Sequence, residues 1–276
     1  ASDDDSAFCN KSVWGRIAVA AAGAIMNIIL GLLFFCLLVQ LTPVIKKNVI
    51  QTVLPNTPAL SAGLQVGDRI TKLNKSTIHT RMDAIYAMAF YKKEQGAVEV
   101  QYVRGNQTNT AQIVPMWSDE AKRFLVGIEW QDEQKTFLNV LRYGYYETAT
   151  TVHLVFYTLK GLFTGEIPLN QLSSVVGVGQ VVGSTVKEIP ADPWGGLRGL
   201  IYLAAMISIN LGIFNLLPIP ALDGARIFFL LIEAVRRKPI PPEKEGKIHA
   251  VGFAFLILLM IFALFNDVFR IFTTKG

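Results

Sequence analysis

The residues most suited to chemistry lie in an apolar part of the chain, in the run Asn215–Gly224, which is Asn-Leu-Leu-Pro-Ile-Pro-Ala-Leu-Asp-Gly. Asp223 follows 24 uncharged residues, 199–222, with Pro218 and Pro220 shortly before it. An acidic side chain at membrane depth is costly and usually faces a cavity that holds an ion, a proton or a substrate. Prolines interrupt helical hydrogen bonding. A helix broken in this way is tolerated at membrane depth where it lines a cavity. The run therefore indicates a functional site inside a bilayer.

Two amide side chains add to this site, and a plainer interpretation competes with it. Asn210 and Asn215 supply hydrogen-bonding groups on the helical turns before Asp223. The alternative is a helix that ends at the membrane surface, where Asp223 is simply solvated. The composition of the run leaves both possibilities open.

The composition of the whole chain favours a membrane protein. Of its 276 residues 51% are hydrophobic and only 17% charged, with a mean hydropathy of +0.39, whereas soluble domains carry about 25% charged residues. The net charge is +5, but the basic residues cluster at the ends of apolar runs. That placement is typical of membrane orientation rather than of nucleic-acid binding. The two cysteines give no disulfide framework.

Three apolar runs are candidates to cross the bilayer, namely 17–41, 199–222 and 250–265. About 20 apolar residues span the hydrocarbon core as a helix, so the third run is short but bracketed by charged residues. A fourth run, 148–159, is too short to span and predicts an interfacial or re-entrant helix. Its His153 is interpreted as a packed or interfacial histidine rather than a metal ligand.

The first apolar run carries a stripe of small and polar residues. Gly23, Asn27 and Gly31 recur every four residues and therefore share one helical face. Small residues allow helices to approach closely in lipid, where packing and hydrogen bonds hold them together. Gly23 and Asn27 are therefore predicted to be helix-packing residues.

Basic residues predict the orientation of the chain. Lys11 and Arg16 precede the first run, and segment 223–249 is rich in Lys and Arg. Short basic loops stay in the cytoplasm. Three spans that start inside place segment 223–249 in the cytoplasm and the insert after the first run outside.

The insert has the pattern of a small α/β domain. Residues 49–54 and 98–104 are predicted strands, 108–114 a return strand, and 82–91 a helix. Residues 124–130 predict one more strand. The intervening stretch Pro-Asn-Thr-Pro-Ala-Leu-Ser-Ala-Gly-Leu-Gln-Val-Gly-Asp, from Pro55 to Asp68, resembles the PDZ domains of bacterial membrane and envelope proteases.

This PDZ resemblance singles out the loop residues Gly63, Leu64, Gly67 and Asp68. The glycines allow tight turns, and Asp68 can hydrogen-bond the loop backbone. The resemblance implies a groove that receives an extended peptide as an added strand. A rigid spacer or gate that binds no peptide is the alternative.

The predicted fold class is a multi-domain membrane protein, in which an α-helical transmembrane core of three spans carries an inserted α/β PDZ-like domain. The predicted segments are residues 1–45 with the first span, 46–117 as the PDZ-like domain, 118–196 as a β extension with the interfacial segment, and 197–276 with the last two spans.

A second resemblance covers nearly the whole chain. The stretch Asn210–Gly224 resembles the Asn-x-x-Pro-x-Pro-x-Leu-Asp-Gly motif of the site-2 proteases, which are intramembrane zinc metalloproteases. Residues 22–27, Ala-Gly-Ala-Ile-Met-Asn, resemble the family's Ala-Gly-Pro-x-x-Asn helix, and 265–270 resemble the end of its last helix. Ala24 replaces the usual proline, and Ala225 replaces a second glycine that family members often carry.

What this resemblance implies is specific. In the family, zinc is held by two histidines of a His-Glu-x-x-His motif and by the aspartate of Leu-Asp-Gly, and the glutamate activates water. Asp223 would be the zinc ligand, Asn215 and Asn210 would bind substrate, and Pro218 and Pro220 would shape the cleft. The implied substrates are single-span membrane proteins, cut in regulated intramembrane proteolysis. The implied location is the bacterial inner membrane, with several passes through the lipid bilayer and the PDZ-like domain outside.

The chain departs from the family in one essential respect, because it contains no His-Glu-x-x-His. Its three histidines, His79, His153 and His249, have no histidine partner four residues away. Catalytic zinc normally has three protein ligands, so the chain by itself is predicted to be hydrolytically inactive. Its first residues, Ala-Ser-Asp-Asp-Asp, suggest a chain that begins inside a longer gene product.

Two other functions compete with this prediction. One is a non-catalytic membrane adaptor that binds peptides through its PDZ-like domain. The other is a small transporter, which would explain the intramembrane Asp223 and the broken helix but not the insert. Neither alternative involves nucleic acid.

Overall fold

The computed structural model describes residues 11–89, 91, 93–119, 123–165, 182–183, 185–186, 192–238 and 240–273. The chain divides into two compact units. One comprises residues 35–150, and the other joins residues 1–34 to residues 151–276.

Three helices are long and apolar enough to cross a membrane: α1 (Val13–Leu41), α5 (Pro193–Leu216) and α7 (Pro242–Thr273), the last through its segment Glu243–Asn266. They confirm the predicted α-helical core with three spans. The α5 helix ends at Leu216, six residues before the end of the predicted apolar run. The reason is Pro218, which forces the residue before it out of the helical region; Leu217 is extended, with φ −69° and ψ 143°.

The helices α1 and α5 approach each other closely at two glycines. A Cβ on Gly212 would lie 2.8 Å from the carbonyl oxygen of Ala24, and one on Gly31 would lie 2.4 Å from Cγ1 of Ile209. The hydroxyl of Ser208 donates to the Asn27 carbonyl oxygen at 2.7 Å. These contacts are the small-residue and polar packing that is typical of helices in lipid.

Gly23 lies apart from this contact. A Cβ at Gly23 would meet no described heavy atom within 4 Å, whereas the next residue, Ala24, is fully buried. The close approach therefore involves Gly31 but not Gly23. The packing role assigned to Gly23 from the sequence stays a prediction.

Most of segment 223–249 is helical. The α6 helix (Asp223–Arg236) occupies its first half, and α7 begins at Pro242. Ala225 and Leu230 of α6 are buried, whereas Arg226 is exposed, so the helix is buried on part of its surface and exposed on the rest.

The predicted interfacial stretch 148–159 lies inside a longer helix, α4 (Phe137–Thr164), of 28 residues. Among the described residues three helices are long and apolar enough to cross a membrane, and α4 is not one of them. Its polar residues explain why, since Arg142 and Glu147 lie in its first half.

An antiparallel sheet forms the core of the unit that comprises residues 35–150. The strands are β1 (Ile45–Val53), β2 (Arg69–Leu73), β3 (Ser76–Thr77), β4 (Val98–Arg104), β5 (Gln107–Ile113) and β8 (Ile128–Glu133), with a separate pair β6 (Met116–Ser118) and β7 (Arg123–Leu125). Their order in the sheet is β5-β4-β2-β1-β8, and β3 pairs with β2. The strand predicted at 124–130 is divided in the structure. Its first two residues belong to β7 and its last three to β8, and Gly127, with φ +89°, lies between them. The strand β8 pairs with β1 and extends the sheet past residue 117.

Two helices complete this α/β domain, α2 (Pro58–Ser61) and α3 (Arg81–Ala89). Alternate residues of a strand point to the same side of a sheet. Apolar side chains of the strands and of the two helices form one buried cluster. The core includes Ile50, Ile70, Ile78, Val100 and Ile113, each at most 1% exposed. The predicted α/β insert is thus confirmed.

Candidate site at the Leu-Asp-Gly turn

The residues between α5 and α6 form a tight turn that brings Asp223 to the start of α6. A ladder of short-range hydrogen bonds shapes it. The Leu217 N–H donates to the Phe214 carbonyl at 3.1 Å, Ile219 to Leu217 at 2.7 Å, and Leu222 to Ile219 at 3.1 Å. Local bonds of this kind satisfy backbone groups where a helix has ended.

The backbone of this turn is strained at one residue and crowded at another. Ala221 has φ +79°, a left-handed conformation that costs a residue with a Cβ about 1 kcal/mol. Gly224 has no room for a side chain, because a Cβ there would lie 2.1 Å from the Leu217 carbonyl oxygen. Such strain persists only where surrounding contacts hold it.

Contacts from α7 hold the turn. Nδ1 of His249 accepts a hydrogen bond from the Ala221 N–H at 3.0 Å. Three residues further on, Gly252 lies against Pro220, so closely that a Cβ would be 2.2 Å from the Cβ of that proline. Residues three apart share a helical face, and this face of α7 therefore covers the turn.

Asp223 is the first residue of α6, and its side chain is exposed. Pro218 is also exposed, while Asn215 and Pro220 are half-buried. The carboxylate therefore stands at a helix N-terminus, where the backbone N–H groups favour negative charge. In this position it is available to a ligand.

The two asparagines occupy different faces of α5. Asn210 and Asn215 are five residues apart, which corresponds to a rotation of about 140° on a helix. Asn215 lies in the last turn before Leu217. Only Asn215 adjoins the turn.

The described residues do not make a zinc site by themselves. Among them, no three His, Cys, Asp or Glu side chains are grouped so that they could hold a metal ion. His249 is already engaged by the Ala221 N–H. His79 stacks on Tyr146 with ring centroids 4.6 Å apart, and His153 lies in α4. Asp223 is thus one potential ligand, and the described residues do not complete a three-ligand site around it.

The predicted PDZ loop is built around Asp68, which is fully buried. Its carboxylate accepts hydrogen bonds from the Gln65 N–H at 2.9 Å and from two nitrogens of Arg104 at 2.7 and 2.8 Å. Gly63 and Gly67 have φ +76° and +90°, and Leu64 is buried. Burial alone would raise the pKa of Asp68, but the hydrogen bonds from Arg104 and Gln65 lower it overall.

A second polar cluster joins α3 to the first half of α4. Asp83 accepts hydrogen bonds from the His79 and Thr80 N–H groups at 2.7 and 2.8 Å and from the Thr150 hydroxyl. Burial, and then the negative charge of Asp83, raise the pKa of Glu147 to about 8, against a lowering by its bond to Thr80. Two carboxyls share one buried site here.

These features define a class: a membrane protein with a PDZ-like insert and a Leu-Asp-Gly turn at the end of an apolar helix. The model of peptidase family M50 matches residues 1–259. The chain belongs to this family, which confirms the resemblance to the site-2 proteases.

Relatives support this assignment. A protein of Clostridium acetobutylicum is 34% identical over 268 residues, which is 97% of this chain and 76% of that protein. Zinc metalloprotease RasP of Bacillus licheniformis is 36% identical over 96% of this chain, and the regulator of sigma-W protease RasP of Bacillus subtilis is 35% identical over 96%. The chain spans 62% and 61% of the two RasP proteins.

Two solved PDZ domains match about a third of this chain. The PDZ domain of an SdrC-like protein from Listeria monocytogenes is 21% identical, with a TM-score of 0.27, over 32% of this chain and 93% of that domain. A related domain from Listeria innocua is 22% identical, with a TM-score of 0.28, over 33% of this chain and 99% of that domain.

The sequence analysis missed the residues that hold the turn. It noted for His249 only that no histidine lies four residues away, and it gave Gly252 no role. The signal available was their spacing of three residues on an apolar helix, which puts both on one face. That signal does not say which partner the face meets.

Proposed function

We propose that this chain is part of a membrane-embedded zinc metalloprotease of the site-2 type, which cleaves single-span membrane proteins within the bilayer. The observation that carries the proposal is the exposed carboxylate of Asp223, held by a strained turn at the end of an apolar helix. Membership of family M50 supports the reaction class.

In this proposal the residues of the turn divide the work. Asp223 would be the zinc ligand. Asn215, in the last turn of α5, would bind the extended backbone of the substrate through its amide, and Pro218 and Pro220 would shape the cleft. The orientation of Asn210 on another face of α5 favours contact with a more distant part of the substrate.

The proposed zinc needs further ligands. It would lower the pKa of a bound water to about 7 and so supply the nucleophile that hydrolysis requires. Zinc of this kind normally has three protein ligands, and the 276 residues contain no His-Glu-x-x-His. We therefore infer that the chain hydrolyses peptides only when the two histidines of such a motif are supplied from outside these 276 residues.

The PDZ-like domain would bind or gate the substrate. Its β8 is an edge strand within the described sheet, and an edge presents unpaired backbone groups to which an extended peptide can add. The basic segment 223–249 favours a multi-pass bacterial inner-membrane protein with this segment in the cytoplasm and the PDZ-like domain outside.

The test supplies the chain with a membrane segment that carries His-Glu-x-x-His, co-expressed in the same cells. Zinc content and cleavage of a single-span test substrate are measured for the wild type, for Asp223→Asn and for Asp192→Asn. Asp192 is the matched control, because it is also an exposed aspartate at the start of a helix, namely as the N-cap of α5. Asparagine caps a helix equally well.

Loss of zinc and cleavage in Asp223→Asn, with both retained in Asp192→Asn, is the expected result. Cleavage by Asp223→Asn at the wild-type rate would exclude Asp223 as the metal ligand. A complex that contains both segments but binds no zinc and cuts nothing would refute the protease and favour the peptide-binding adaptor.

A further inference from the structure

The turn that carries Asp223 is held from α7 by a hydrogen bond that no part of the proposed chemistry uses. The Ala221 N–H donates to Nδ1 of His249 at 3.0 Å. Since the peptide nitrogen is the donor, Nδ1 must be an acceptor, and the proton of the neutral imidazole lies on Nε2. Nε2 is 3.8 Å from a carboxylate oxygen of Glu245.

The imidazole is fixed on a second side by packing. Its ring makes an edge contact with Phe229 of α6, with centroids 5.8 Å apart. His249 therefore contacts both the peptide two residues before Asp223 and the helix that Asp223 begins. Gly252, one turn further along α7, makes room for Pro220.

The bond meets the turn at its strained residue. Ala221 has φ +79°, which an alanine adopts only when its surroundings hold it. Without an acceptor for its N–H, the Ala221 peptide could relax towards negative φ. Because Asp223 follows two residues later, such a change would move the carboxylate.

We propose that His249 is a positioning residue that fixes the Leu-Asp-Gly turn, and with it the Asp223 carboxylate, by accepting the Ala221 peptide N–H at Nδ1. The importance of this bond for catalysis rests on the proposed function, but the order of the turn does not. The two can therefore fail separately.

The test measures hydrogen exchange of the Ala221 amide in the full 276-residue chain in detergent micelles, detected by NMR. Labelling proline with ¹³C and alanine with ¹⁵N selects the three Pro-Ala pairs of the sequence. One of them, Pro58–Ala59, supplies an internal control, because the Ala59 N–H donates to the Val126 carbonyl at 2.9 Å in the PDZ-like domain.

Three substitutions separate the hydrogen bond from the bulk of the ring. His249→Asn places an amide oxygen close to the position of Nδ1, His249→Gln places one near Nε2, and His249→Leu has no acceptor. We expect Ala221 to exchange about tenfold faster in His249→Leu and His249→Gln. It should return close to the wild-type rate in His249→Asn, with Ala59 unchanged throughout.

Equal exchange of Ala221 in the wild type and His249→Leu would overturn the proposal. So would a failure of His249→Asn to restore protection while Ala59 stays protected, because bulk rather than the acceptor would then hold the turn. When the segment that carries His-Glu-x-x-His is co-expressed, cleavage should be retained in His249→Asn and reduced in His249→Leu and His249→Gln. If His249→Asn protects Ala221 but loses cleavage, the hydrogen bond orders the turn without contributing to catalysis.

Discussion

Arg16 and Glu233 are 217 positions apart in the chain, and their side chains form a two-point ion pair. The two guanidinium nitrogens lie 2.5 and 3.3 Å from the two carboxylate oxygens. Each side chain is only 16% exposed. The pair joins the first turn of α1 to the last turn of α6, so that the helix led by Asp223 is anchored at its far end.

Loss of one partner of this pair should destabilise the protein strongly. Arg16→Leu would leave the Glu233 carboxylate nearly buried without its counter-charge, a change that costs about 3 kcal/mol. Unfolding in detergent micelles measures this cost. The exposed Lys11→Ala is the control, and the exchanged pair Arg16→Glu with Glu233→Arg should recover part of the loss. If the single variants unfold like the wild type, the pair contributes nothing to stability.

Gly212→Ala should destabilise the protein, whereas Gly23→Ala should not. In Gly212→Ala the new Cβ would lie 2.7 Å from Cγ1 of Ile28 and 2.8 Å from the Ala24 carbonyl oxygen. The backbone atom cannot rotate away, so α1 and α5 must separate, at a cost of about 2 kcal/mol. Gly23→Ala meets open space and should be neutral.

The measurement is again the free energy of unfolding in micelles, with Gly23→Ala as the matched control. Destabilisation by Gly23→Ala as large as that by Gly212→Ala would mean that a different face of α1 packs against α5. It would also restore the packing role that the sequence assigned to Gly23.

The contrast between Gly212 and Gly23 shows what the sequence could predict and what it could not. Runs of apolar residues located the three spans, because the thickness of the bilayer sets a minimum length. The period of the helix placed Gly23, Asn27 and Gly31 on one stripe. Which part of the stripe meets another helix depends on the position of that helix, and no local pattern contains it.

The turn before Asp223 illustrates the same limit. The prolines predicted a break, and Pro218 explains why α5 ends at Leu216. The bond from Ala221 to His249 crosses 28 positions of sequence and depends on how α7 packs. An alanine with positive φ carries no sequence signal either, since alanine is a good helix former.

The half-buried Glu147 should make stability fall as the pH rises. Its pKa of about 8 in the folded chain lies above the ordinary value of 4.5. Between these two values the unfolded chain releases the proton that the folded chain keeps, so that unfolding becomes progressively easier. Above about pH 8 both states are ionised, and the dependence should level off.

Melting temperatures of the full chain between pH 5 and 9 check this prediction. Glu147→Gln stays neutral and should remove the fall, whereas Glu129→Gln, an exposed residue of β8, should leave it intact. A wild-type Tm that rises between pH 5 and 8 would contradict the raised pKa.

The buried Asp68 should have the opposite pH dependence. Its pKa is lowered in the folded chain, so its contribution to stability is present above the unfolded pKa and is lost as the pH falls through the folded one. Asp68→Asn removes the charge that Arg104 binds and turns one acceptor oxygen into a donor that faces the Gln65 N–H or the guanidinium. The variant should therefore melt below the wild type at pH 7, and the difference should shrink in acid.

Asn109→Asp, at a half-buried position of β5 without a basic hydrogen-bond partner among the described residues, is the control for a change of charge in the same sheet. If Asp68→Asn matches the wild type at pH 7, the carboxylate does not stabilise the loop that contains Gly63 and Gly67, and the groove expected beside that loop would lose its structural support.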